Sequence, residues 1–173
     1  RRTEPREMES GLTLETSRGP VALSRIHTGV PHVVVPVADV ARADVLGLGR
    51  ELRYHPVFAP AGTNVNFAAV DGDGRIHNRT YERGVEGETL ACGTGSVAAA
   101  LLLAGRGAVT SPVTVVPRSG ETLTVYFEGA GDDFREVFLE GNARVICTGE
   151  LWEDAGNWSG EPALQCPGGP DME

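Results

Sequence analysis

With 173 residues, 40% of them hydrophobic and 23% charged, the chain is long enough for one ordinary globular domain or two very small ones. A net charge of −9 argues against nucleic acid or an anionic membrane surface as a partner, so an anionic ligand has to be met by local donors. All 15 residues of the lysine-plus-arginine set are arginine, which excludes a lysine Schiff base with pyridoxal phosphate and a Walker-A phosphate loop.

In chain order, residues 1–11 read as a disordered start, residues 12–16 alternate like a strand, and residues 17–20 form a turn. A weaker strand follows at 21–26. The loop His27-Thr28-Gly29-Val30-Pro31-His32 then feeds the apolar run 33–37, a buried strand. Asp39 is a candidate cap for a helix-like stripe of Val45, Leu46, Leu48 and Leu52 that runs to about Arg53. Pro56 and Pro60 break the chain, residues 64–70 read as a strand, and Asp71-Gly72-Asp73-Gly74 is a hairpin turn. Residues 75–82 alternate as a partly exposed strand, and 83–88 are a glycine-containing loop.

The stretch Thr89-Leu90-Ala91-Cys92-Gly93-Thr94-Gly95-Ser96 places a thiol before a glycine-rich turn that opens onto the apolar run 97–104. That run is apolar nearly all round, the pattern of an enclosed helix, and Gly105-Arg106-Gly107 stops it. The free N–H groups and positive dipole end of such a helix are expected to lower a thiol pKa and to attract a carboxylate. A small buried structural cysteine fits these eight residues equally well. Short strands are expected at 113–116, 122–127, 137–139 and 143–147, and a mobile tail from Trp152. The fold class is α+β, antiparallel sheet wrapped around one central apolar helix.

Cys92, Cys147 and Cys166 are odd in number and far apart, which speaks against a disulfide framework or a zinc site and for a reducing cytoplasm. Cys147, in an apolar run, is expected to be buried and inert. No apolar stretch reaches membrane-spanning length, and residues 1–10 lack a signal-peptide core. No metal site is expected. His27, His55 and His77 are assigned no role.

Three stretches together resemble diaminopimelate epimerases. Residues 79–95, Arg-Thr-Tyr-Glu-Arg-Gly-Val-Glu-Gly-Glu-Thr-Leu-Ala-Cys-Gly-Thr-Gly, look like that family's signature around its second catalytic cysteine. Gly62-Thr63-Asn64-Val65-Asn66-Phe67 resembles its asparagine-bearing strand, and Thr28-Gly29-Val30-Pro31-His32 its GxPH loop. The resemblance covers about residues 26–150 and corresponds to the family's C-terminal domain. It implies three segments: 1–25 as disordered start and inter-domain remnant, 26–151 as the epimerase domain, and 152–173 as tail.

The activity so implied is cofactor-independent interconversion of LL- and meso-diaminopimelate, a step towards lysine and peptidoglycan precursors. Cys92 would move the Cα proton, with Glu82 and His32 supporting it. Asn64, Glu82 and Arg83 would bind the substrate's amino and carboxylate groups, with N–H donors from Gly93 and Thr94. Val30 stands where many members carry a substrate-binding asparagine. The family's first cysteine lies in an N-terminal domain, after an Asn-Gly-Asn-Gly-like turn that is absent here. The implied partners are the amino-acid substrate and that missing domain, and a homodimer is compatible. The chain alone is then expected to invert substrate poorly. Two other readings stay open: a non-catalytic remnant or ligand-binding module, and a thiol hydrolase with Cys92 as nucleophile and His32 or His77 as base.

Overall fold

The computed structural model describes residues 2–145 and Cys147. Residues 1–142 form one compact unit and 143–173 a second. The first unit is built on a single ten-stranded sheet: β1 (Arg2–Thr3), β2 (Arg6–Thr16), β3 (Gly19–His27), β4 (Pro31–Pro36), β5 (Asn64–Val70), β6 (Ile76–Glu82), β7 (Gly87–Thr89), β8 (Val113–Pro117), β9 (Leu123–Ala130) and β10 (Asp133–Glu140). Two α-helices accompany it, α1 (Gly47–Arg53) and α2 (Gly93–Gly105). The strand order is β1-β10-β9-β8-β6-β5-β4-β3-β2, with β7 paired to β6.

The sheet is mixed, which corrects the antiparallel expectation: β4 pairs parallel to β5, and β6 parallel to β8. Each parallel pair needs a crossover connection. The segment carrying α1 supplies the first, and the loop and helix carrying Cys92 supply the second.

Sheet order and helix contacts together require curvature. Helix α2 packs against β3, β4, β5, β6, β8, β9 and β10. In a flat sheet β3 and β10, six strand spacings apart, would be roughly 29 Å from each other, far beyond the reach of a helix about 10–12 Å wide. The sheet must therefore curl around α2. The chain start gives the same result, because β1 and β2 hold opposite ends of the strand order yet only Glu4 and Pro5 separate them. All of Gly95, Ser96, Val97, Ala98, Ala99, Ala100, Leu101, Leu102 and Leu103 are buried, as expected of a helix apolar on every side.

Two apolar clusters lie on the two faces of the sheet. Ile26, Val34, Ala68 and Ile76 face α2, whereas Leu23, Val33, Val35, Val65 and Phe67 pack with Val45 and Leu52 of the α1 segment. Cover on both faces explains the unbroken run at 33–35. At Gly49 of α1 a Cβ would stand 2.8 Å from the Cβ of Tyr81, so that glycine permits the close approach of α1 to β6.

Several sequence expectations shift. Strand β2 begins at Arg6, within the stretch read as disordered, because it pairs with β3 through two register shifts. Asp39 caps a 3-10 turn (Val40–Arg42) by accepting from Ala41 N–H, and the helix proper starts only at Gly47. The loop at 83–88 contains β7. Strand β6, between β5 and β8, keeps the expected alternation, with Ile76, Asn78 and Thr80 buried and His77 and Arg79 half-buried; Tyr81 departs from it in being buried as well. In the second unit, residues 143–145 and Cys147 carry no strand. With no strand neighbour among the described residues, Cys147 is exposed rather than buried. Trp152, the tail and Cys166 lie outside the described residues.

Enclosure of α2 has a measurable consequence. On a one-sided helix, adjacent positions differ in cost; here Leu101→Ala and Leu102→Ala, at 0% and 1% exposure, should each lower unfolding free energy by about 2–5 kcal/mol. Urea denaturation of the two variants checks this, and a near-neutral result at either position would contradict the enclosed packing.

Candidate active site

The site is built where α2 begins. Cys92 is the cap residue, with extended backbone (φ −131°, ψ 108°). Its carbonyl accepts the first intrahelical bond, from Ser96 N–H (2.8 Å), and its sulfur accepts from Gly95 N–H at 3.3 Å. The sulfur thus takes the place of the usual Ser or Asp cap oxygen. A Cβ on Gly95 would collide with Asn66 Oδ1 and lie 3.1 Å from the sulfur, so only glycine lets the helix start lie against β5.

Cys92, Gly93 and Thr94 line a cavity of about 240 Å³ together with Thr28, Glu82 and Leu139. The Cys92 side of this cavity is largely shielded from solvent, the residue being 8% exposed. Burial pushes the thiol above its ordinary value, further than donors from Thr94 and Gly95 lower it, and the Glu82 carboxylate adds in the upward direction. The direction is opposite to the lowered value that the helix start alone leads one to expect, because desolvation outweighs the donors at that start.

His32 lies on β4, facing the start of α2. Its Nε2 is 3.0 Å from Thr94 Oγ1 and its Nδ1 is 3.0 Å from Asn66 Nδ2. Thr94 Oγ1 in turn is 3.6 Å from Cys92 Sγ. His32 is therefore linked to the thiol through the threonine hydroxyl rather than directly. Burial, with help from His27 and Arg83, lowers its pKa to about 3, so it stays neutral.

Asn64 and Arg83 meet, but through the backbone. Asn64 Oδ1 accepts from Arg83 N–H (2.8 Å), and its Nδ2 donates to the Pro31 carbonyl (3.0 Å). Asn64 thereby ties the Pro31 end of β4 to the loop after β6. The Arg83 guanidinium donates to the Ala61 carbonyl (3.2 Å) and lines a second cavity of about 440 Å³, with His32 and Val30 on its wall. All seven sequence-predicted site residues thus fall around one stretch of β4, β5, the end of β6 and the start of α2. Glu82, Cys92, Gly93 and Thr94 share the smaller cavity; His32 and Arg83 line the larger.

Sequence reasoning missed three residues here. Thr28 Oγ1 donates to the Thr94 carbonyl (3.0 Å), fixing the loop before β4 to the helix start. Asn66 and Thr80 lie on the α2-facing side of β5 and β6, directly paired across the strands, with Thr80 Oγ1 donating to Asn66 Oδ1 (2.9 Å). The available signal was alternation: Asn64 and Asn66 alternate with Val65 and Phe67 in a strand whose apolar content marks it as buried.

Other residues of the cysteine stretch hold the frame. Arg79 forms a two-bond ion pair with Glu88 (2.6 and 2.8 Å) and donates to the carbonyls of Val40, Ala41 and Ala43, pinning the 3-10 turn to β6. His77 bonds Asp71 in the hairpin, and His55 Nδ1 accepts from Val57 N–H. Among the described residues, no cluster of His, Cys, Asp and Glu could hold a metal ion, and no helix is long and apolar enough to cross a membrane.

A model of the diaminopimelate epimerase family matches residues 25–146. The diaminopimelate epimerase of Aquifex aeolicus is 51% identical over 130 residues, covering 75% of this chain and 46% of that protein. The one of Hydrogenobaculum sp. is 42% identical over 147 residues (83% and 51%), and that of Archaeoglobus fulgidus 57% over 94 residues (54% and 32%). The chain thus spans about half the length of the first two. Two solved structures share the fold at 21% identity and a TM-score of 0.58: a hydroxyproline epimerase from Agrobacterium vitis (73% of this chain, 44% of that one) and a probable proline racemase from Agrobacterium radiobacter (84% and 52%).

The buried, neutral His32 makes stability depend on pH. The unfolded chain takes up a proton near 6.5 that the folded chain refuses until about 3, so stability falls as pH drops through that window. The limiting slope from this one group is about 1.4 kcal/mol per pH unit. Urea midpoints at a series of pH values should show His32→Asn flattening this part of the profile; an identical profile in both proteins would mean that His32 takes up its proton in the folded state.

Proposed function

The chain belongs to the diaminopimelate epimerase family, and from that membership we propose that it supplies one thiol face of a cofactor-independent amino-acid epimerase acting on diaminopimelate. The observation that carries the reading is the small cavity that holds the Cys92 thiol, the start of α2 and the Glu82 carboxylate together.

Removing a Cα proton from an amino acid without an imine sends the charge into the carboxylate, where fixed donors must meet it. The N–H groups of Gly93 and Thr94 are suited to that carboxylate, and Glu82 to the substrate ammonium. Arg83, on the wall of the larger cavity, is suited to the distal amino-acid group, and Asn64, whose amide is engaged by Pro31 and by the Arg83 N–H, would hold that arginine in place. The protonated thiol fits the acid role directly. When the ammonium enters, its charge offsets the effect of Glu82 and favours the thiolate, which then takes the Cα proton as base. By microscopic reversibility one sulfur serves both directions. Inversion requires a second acid on the opposite face, which the domain carrying the family's other thiol would provide. The curled sheet around α2 is in this view the shell of one half of a two-domain enzyme, working as a cytoplasmic enzyme of amino-acid biosynthesis.

The hydrolase alternative is less well supported. Thr94 stands between His32 and the sulfur, and a histidine with a pKa of about 3 is a weak base. His77 is engaged with Asp71.

Incubation with LL-diaminopimelate in heavy water tests the proposal. The chain should incorporate deuterium at Cα while forming little meso product, and Cys92→Ala should slow incorporation by about two orders of magnitude or more. Equal incorporation in Cys92→Ala would remove the thiol from the mechanism; efficient meso formation would remove the one-thiol limit.

A further inference from the structure

The buried polar groups beneath α2 fix the directions of their own hydrogens. Asn66 Nδ2 lies 3.0 Å from the Val33 carbonyl oxygen, which only accepts, so this end of the amide is the NH2. Its other end accepts from Thr80 Oγ1 (2.9 Å), and Thr80 Oγ1 accepts from Asn78 Nδ2 (3.4 Å). The Asn66 NH2 is also 3.0 Å from His32 Nδ1, where it can only donate. Nδ1 therefore carries no hydrogen.

The imidazole is neutral, with His27 and Arg83 as the charged or titratable groups acting on it and burial in the same sense. Its single ring hydrogen is then on Nε2, 3.0 Å from Thr94 Oγ1. Thr94 accepts that hydrogen, which frees its own hydroxyl hydrogen to point at Cys92 Sγ, 3.6 Å away. Donation can then run in one direction from Asn78 through Thr80, Asn66, His32 and Thr94 to the Cys92 sulfur. Glu82 faces the sulfur from the end of β6.

We propose that Asn66 is a positioning residue that locks His32 in its Nε2–H tautomer and so commits the Thr94 hydroxyl hydrogen to the Cys92 sulfur. The inference rests on the reading of Cys92 as the proton-transferring thiol. A hydroxyl donating to sulfur favours the thiolate, the form that takes a proton. In the opposite tautomer Thr94 would donate to Nε2 and offer the sulfur only a lone pair, favouring the thiol. The direction of one amide on β5 thus sets how readily a sulfur three hydrogen bonds away ionises.

Two measurements on the whole chain, neither using substrate, test this. In 15N-histidine-labelled protein, the His32 ring nitrogens should show a bare Nδ1 and a protonated Nε2 through the neutral range; the reverse tautomer, or a rapid mixture, would overturn the proposal. The second is the pH dependence of Cys92 alkylation by iodoacetamide, followed by peptide mass spectrometry. Thr94→Val should raise the midpoint by about one pH unit, a tenfold loss of thiolate below it. Asn66→Ala should move it the same way and add nothing in the Thr94→Val background. A full additional shift in that background would mean that Asn66 acts through the fold at large, and the proposal would fail. If Asn66→Ala does not fold, Asn66→Ser carries the comparison, and the tautomer of the unaltered protein decides independently. Failure here leaves the epimerase reading intact. Loss of Cys92-dependent exchange with the tautomer as expected would sink that reading alone.

Discussion

A row of polar side chains lies buried between a sheet and an apolar helix, and the region around Cys92 is arranged to satisfy it. His32, Asn66, Asn78 and Thr80 are at most 3% exposed and sit on the α2-facing side of β4, β5 and β6, otherwise lined by Val34, Ala68 and Ile76. In such surroundings each unmatched donor or acceptor is costly, so the partners have to be supplied from within the fold. The parallel pairing of β4 with β5 brings His32 within reach of Asn66, and the start of α2 offers Thr94 to the far ring nitrogen. One buried atom stays unmatched among the described residues of this row, Asn78 Oδ1 at its outer end.

The same constraint explains why three separated stretches form one site. Loops before β4 and after β6 would otherwise be free to move. Asn64 binds both of them, Thr28 ties the first to α2, and Gly95 lets α2 come against Asn66. Arg79 and Glu88 do comparable work on the outer face. Much of what looks chemical in the cysteine stretch is thus mechanical, and the part open to a ligand narrows to Cys92, Gly93, Thr94 and Glu82 around the smaller cavity and Arg83 on the wall of the larger.

The enclosed helix and its bounding glycines were legible in the sequence because α2 shows no polar face at all. Most strands were legible as well, and the residues singled out around the cysteine stretch lie near one another at the start of α2 and on the strands beside it. Pairing was not legible: nothing local distinguishes a parallel from an antiparallel neighbour, and β2 reaches back to Arg6 only because β3 is there to receive it. The ionisation of Cys92 is not legible for a related reason. A helix start can be read from eight residues, but the degree of burial depends on β10, some forty residues away, whose Leu139 closes over Gly93. Asn66 was passed over beside Asn64 because a buried amide is recognisable only when its partners on other strands are known.

A helix without a polar face also has an order-of-synthesis consequence. Strands β3 to β6 precede α2 and can form ahead of it, but β8, β9 and β10 emerge only afterwards, up to Glu140. From the time Leu101, Leu102 and Leu103 leave the ribosome until those strands follow, one side of a greasy segment has no protein to rest on. Sequence-distant contacts close slowly and leave apolar surface accessible meanwhile. The newborn chain is therefore most vulnerable to association with its neighbours, and most in need of a chaperone, in the interval between making the helix that anchors its chemistry and making the strands that bury it.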